Sequence, residues 1–143
     1  MVRETSNLKA IPATSQGVRC FVRALRKGET VGLLPEHAPK GDGVWVPFFG
    51  RLAYSMMLPC KLAAQTGAPV IIAAGERLPG GLGRRMHAKR RGGPLPRTVE
   101  AQAVWINAEM EEIIRRFPQQ YLRDCNRFKV PSGGASASRE QLL

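Results

Sequence analysis

The chain has 143 residues, 43% of them hydrophobic and 23% charged, with 15 Gly and 11 Pro; it holds enough apolar material for one compact core, too little length for two, and many turns. Its 22 Lys and Arg oppose 11 Asp and Glu, and the formal net charge of +11 draws it toward polyanions: nucleic acid, anionic lipid headgroups or phosphorylated substrates. Cys20, Cys60 and Cys125 lie apart with no C-x-x-C pair, which fits idle thiols in a reducing compartment and excludes a disulfide framework or metal knuckle, while no apolar run approaches the ~18 residues of a spanning helix and MVRETSNLKA lacks the apolar core of a signal peptide.

From Thr14 onward Val18, Phe21, Val22 and Leu25 recur at helical spacing, Arg19, Arg23, Arg26 and Lys27 fill other faces, and Gly28 follows; the pattern predicts an amphipathic helix with a cationic last turn. TVGLLP (30–35) predicts a short buried strand whose end delivers Glu36 and His37. GVWVPFF (43–49) predicts a second strand, pushed toward a sheet edge by Pro47. PCKLAAQTG predicts a helix opened by Pro59 and stopped by Gly67, with the strand APVIIAA (68–74) directly after it. This strand, helix, strand rhythm predicts an α/β fold with a mostly parallel sheet flanked by helices.

PGGLGRRMHAKRRGGP (79–94) predicts a basic turn, short strand and turn. Val99, Ala103, Ile106, Met110, Ile113, Ile114 and Phe117 then repeat at helical spacing behind an N-cap at Thr98, up to Pro118, with Glu111–Arg115 and Glu112–Arg116 at i, i+4. The small, polar PSGGASASREQLL predicts a frayed tail over 132–143, after a single domain over 1–131.

Three constellations could carry chemistry. His37 and Asp42 spell His-x-x-x-x-Asp, a general-base dyad in glycerolipid acyltransferases, but the intervening Ala-Pro-Lys-Gly and the KGDG that holds Asp42 have the composition of a turn. Glu36 and His37, at the carboxyl end of a predicted strand, stand where open α/β sheets bind ligands. Arg84, Arg85, His87, Lys89, Arg90 and Arg91, with Arg127 and Lys129, could hold phosphate or could simply be a solvated charged surface. PGGLG is not a phosphate loop, because the Gly-Lys-Ser/Thr ending is missing. A basic module binding nucleic acid or anionic lipid without catalysis is the rival class, but interleaved exposed aromatics and a recognition-helix pattern are lacking.

Taken in order, ALRKGETVGLLPEHAPKGDGVWVPFFGR, LAAQTGAPVIIAAGERLPGG and WINAEMEEIIRRFPQQYLRDCNRFK resemble the second half of the bacterial lipid A biosynthesis acyltransferases, from about Asn7 to Pro131. The resemblance implies a glycerolipid-acyltransferase α/β fold at the cytoplasmic face of the inner membrane, with acyl carrier protein and a lipid A precursor as partners and no cofactor, metal or nucleic acid. It also implies that the catalytic His-x-x-x-x-Asp/Glu and a hydrophobic anchor lie upstream of this chain, which alone would then be inactive. Residue by residue, Glu36 matches the acid of a Leu-Leu-Pro-acid box, commonly Asp, on the acceptor side. His37 matches a Gln or His that is not the catalytic histidine. Arg3 and Asn7 match an Arg and Asn that follow the dyad, and Arg77, Arg127 and Lys129 match basic positions. Arg123 and Cys125 depart from the family's usual Trp and aromatic or His, and Met56 and Met57 from small or hydroxyl residues.

Overall fold

The computed structural model describes residues 8–12, 14–39, 41–121 and 126–129. Three helices and four strands follow in the order α1 (Ser15–Arg26), β1 (Gly43–Phe48), β2 (Arg51–Met56), α2 (Leu58–Thr66), β3 (Ile71–Arg77), β4 (Arg84–Arg90) and α3 (Val99–Arg116). The three helices stand where their periodicities place them. Thr14 Oγ1 accepts from Gly17 N and Thr98 Oγ1 from Ala101 N, and α2 stops at Gly67 with φ 70°.

The sheet is not mostly parallel. β1 pairs antiparallel with β2, and β3 antiparallel with β4, as two separate two-stranded sheets. Short connections force this outcome, since parallel neighbours need a crossover of about a dozen residues. The one strand–helix–strand passage, β2–α2–β3, leads from one sheet into the other. Residues 30–35 form no strand: with Gly32 and Pro35 in so short a run, the segment runs as coil into a turn, leaving Leu34 64% exposed.

The unforeseen strand β2 owes its place to a two-residue turn. Phe49 (φ 49°) and Gly50 (φ 73°) both take positive φ, the type I′ geometry that matches hairpin twist. For Phe49 that conformation is unfavourable, and it is held from outside: its N–H donates to Glu111 Oε1 on α3 at 2.8 Å, and the Arg115 guanidinium covers its ring. At the other end Tyr54 closes the hairpin, its hydroxyl accepting from Gly43 N and donating to Gly41 O. A side chain on Gly43 would meet the Tyr54 ring at 2.6 Å, so glycine is required there.

The core lies between this hairpin, α2 and α3: Val46, Phe48, Ala53, Cys60, Ala103, Ile106 and Met110. Burial pushes the Cys60 thiol from 9.0 up to about 11, against the opposing effect of its backbone hydrogen bond. A thiol pKa raised by folding contributes stability that is complete below the unfolded value and lost as pH rises through the folded one. Stability is therefore expected to fall by about 2–3 kcal/mol between pH 9 and 11 on account of Cys60. Chemical denaturation across that range checks it, and Cys60→Ala should be less stable at neutral pH but flatter in its dependence. Cys125 and the 132–143 tail lie outside the described residues.

Candidate functional groove

Two apolar surfaces line a groove. One is the lower stripe of α3 (Ile106, Met110, Ile113, Ile114, Phe117); the other is α2 with the lead-in and first part of β3 (Leu62, Ala63, Pro69, Val70, Ile72, Ala74). Residues 31–36, the coil expected as a strand, form the third wall and bring Val31, Leu33 and Glu36 to it. The volume is about 420 Å³, within the range of small-molecule sites. Among the lining residues Glu36 is the one carboxylate, with Gln120 and Tyr121 the other polar members at the α3 end. Gln120 is fixed by reciprocal hydrogen bonds with the backbone of Arg77, at 2.7 and 3.0 Å, which fasten the segment after α3 to the end of β3.

The sequence-predicted residues scatter around this groove. Glu36 stands on its wall, its side chain 30% exposed, with His37 Nε2 at 3.8 Å. Asp42 is instead bound by Lys61, so the His37–Asp42 spelling corresponds to two residues with different ionic partners. Arg77 and Lys129 are exposed, and neither forms an ion pair with Glu36 among the described residues. Arg3 and Asn7 lie outside the described residues.

Arg127 is a buried strut, 3% exposed. Its guanidinium donates to Tyr54 O (2.8 Å), Ser55 Oγ (2.7 Å) and Asn107 Oδ1 (3.1 Å), and lies 5.0 Å above the Phe48 ring. Asn107 in turn donates to Pro47 O and Ser55 Oγ, while Ser55 donates to Ala53 O. Burial draws the Arg127 pKa below its ordinary value.

Sequence reasoning missed the groove itself. Its signal was the width of the apolar stripe on α3: Ile113, Ile114 and Phe117 continue past what β1 can cover. The charge of the β3–β4 hairpin also reads differently once folded, because Lys89 bridges to Glu109 and Glu112 of α3, and His87 reaches Glu76 at 2.9 Å.

The groove is thus apolar, with Glu36 the one carboxylate among its lining residues. The bacterial lipid A biosynthesis acyltransferase family matches residues 1–130, and the chain belongs to that family. It is 32% identical over 119 residues to the lipid A biosynthesis lauroyltransferase of Escherichia coli K12, a match covering 80% of this chain and 38% of that protein. The chain thus spans well under half the length of this relative. Among the described residues no helix is long and apolar enough to cross a membrane.

Proposed function

We propose that the chain forms the acyl-binding and acceptor-side part of an enzyme that moves a fatty acyl group from acyl carrier protein to a hydroxyl of a lipid A precursor. The observation that carries this reading is the aliphatic groove walled by the Leu33-Leu34-Pro35-Glu36 block, because it joins a hydrocarbon site to the carboxylate that the family resemblance assigns to the acceptor side.

In the reaction a histidine base takes the proton of the acceptor hydroxyl, the oxygen attacks the thioester carbonyl, and the carbon–sulfur bond breaks to release the carrier thiol. We assign that base to sequence corresponding to the unmatched part of the longer relative, not to His37. Glu36 orients the acceptor at the groove. Arg77 and Lys129, with Arg3 and Asn7, hold its anionic groups, while His37 lines the approach beside Glu36. Arg127, enclosed by Tyr54, Ser55 and Asn107, supports the site by tying the β1–β2 hairpin to α3 and not by touching substrate.

Mass spectrometry of a lipid A precursor incubated with lauroyl-acyl carrier protein tests this. The chain alone is expected to transfer nothing. Fused behind the upstream part of the E. coli lauroyltransferase it should transfer laurate, and Glu36→Gln should lower that rate by about a hundredfold. Transfer by the chain alone that His37→Ala abolishes would instead place the dyad at His37 and Asp42.

A further inference from the structure

The β3–β4 hairpin sorts its cations by face. The register sets Ile72 opposite Lys89, Ala74 opposite His87 and Glu76 opposite Arg85, and these pairs share one face. That face turns toward α3: Ile72 packs on the core, His87 stacks on Phe117, and each of the three basic residues has a glutamate, Glu76 for Arg85 and His87, Glu109 and Glu112 for Lys89. The opposite face carries Ile71 with Arg90, Ala73 with Ala88, Gly75 with Met86 and Arg77 with Arg84. All eight are exposed, Ile71 to 56% and Met86 to 72%.

None of Arg77, Arg84 and Arg90 forms an ion pair among the described residues, and no acid occurs anywhere between Arg77 and Thr98. At the tip, Gly80, Gly81 and Gly83 all take positive φ, making a tight turn that holds Leu82 out at 79% exposure, the highest of any large apolar residue described. The outer face is therefore an apolar strip with unneutralised arginines at both ends and a leucine at its point. Water is a poor neighbour for the strip, and the arginines call for anions that the described fold does not supply.

We propose that this outer face and its Leu82 tip rest on a bilayer containing anionic lipids, with Leu82 and Met86 entering the headgroup boundary and Arg84 and Arg90 meeting lipid phosphates. Amphipathic surfaces that combine exposed apolar side chains with cations bind this way, whereas nucleic acid would make use of the arginines and leave the aliphatic strip without a partner. The position suits the groove, because the backbone of Arg77 at the end of β3 is tied to Gln120, which lines it. A lipid substrate would leave the bilayer beside the cleft that receives it. The proposal deepens the acyltransferase reading and rests on it for its purpose, yet vesicle binding needs neither acyl donor nor turnover, so either can fail without the other.

Co-sedimentation of the 143-residue chain with phosphatidylcholine vesicles, with and without phosphatidylglycerol, tests it, with circular dichroism checking that each variant is folded. The chain should sediment with the anionic vesicles and not with pure phosphatidylcholine. Leu82→Ser with Met86→Ser, and separately Arg84→Glu with Arg90→Glu, should each weaken anionic binding by about tenfold or more. All four side chains are exposed, so folding should survive these changes. Equal binding to neutral vesicles would overturn the proposal. So would unchanged binding by both hairpin variants while Arg19→Glu with Arg23→Glu on α1 removes it, or displacement from vesicles by duplex DNA or RNA at equal phosphate.

Discussion

Asn107→Leu is expected to lower the stability of the chain by about 3 kcal/mol, read as a fall of roughly 10 °C in Tm. The substitution keeps the branching and the number of heavy atoms and adds apolar surface at a site 2% exposed, so a purely hydrophobic account predicts no loss. What it removes is the amide that serves three groups together: Pro47 O and Ser55 Oγ as acceptors from Nδ2, and the Arg127 guanidinium as donor to Oδ1. Each is left partly unsatisfied where water does not reach, and one of them carries a charge. Arg127→Met made on its own should cost a similar amount, since it strands Tyr54 O and Asn107 Oδ1. The double variant should cost clearly less than the sum, because the groups that each single change strands partly disappear together. Costs that add to within a few tenths of a kcal/mol would show that Asn107 and Arg127 act separately.

Phe48→Ala is expected to cost about 4 kcal/mol, the upper part of the range for emptying a core site. Phe48 is 2% exposed within the core cluster, with the Phe49 ring at 4.9 Å, the Phe128 ring at 6.1 Å and the Arg127 guanidinium at 5.0 Å. Its removal opens a space next to a buried charge, so the hydrophobic loss and the weakened cover over Arg127 fall on one place. Phe48→Leu, which refills most of that space, should cost under about 2 kcal/mol. Urea titrations give both numbers, with the midpoint falling and the slope unchanged if the folded state is otherwise preserved. A loss below about 2 kcal/mol for Phe48→Ala would mean that the site collapses onto its neighbours.

The sequence makes the helices legible because their evidence is local. Thr14 and Thr98 before apolar stripes, and Pro59 before and Gly67 after a third, state where each helix begins or ends. Sheet topology is not local in this way. APVIIAA announces a strand but not its partner, and the parallel expectation fails because β3 finds β4 across a short turn instead of reaching back to β1. β2 escapes notice because RLAYSM has no clean alternation; three of its consecutive residues, Ala53, Tyr54 and Ser55, are all buried. The site divides along the same line. Glu36 is recognisable from its box, whereas its setting depends on coil 31–36 settling against α3, and the buried state of Arg127 depends on Asn107 and Ser55, residues far from it in sequence.

The hydrogen bond from Phe49 N to Glu111 spans 62 residues, that from Asn107 to Pro47 O spans 60, and that from Arg127 to Tyr54 O spans 73. All three end on the β1–β2 hairpin, and a lone two-stranded hairpin is marginal in water. During synthesis, then, this hairpin leaves the ribosome well before the residues that fasten it: its inward face waits for α2 and α3 to close against, and Tyr54 O waits for Arg127. Folding of the core is in this sense a late event, set by the arrival of the last few residues described and not by the speed with which the hairpin can pair.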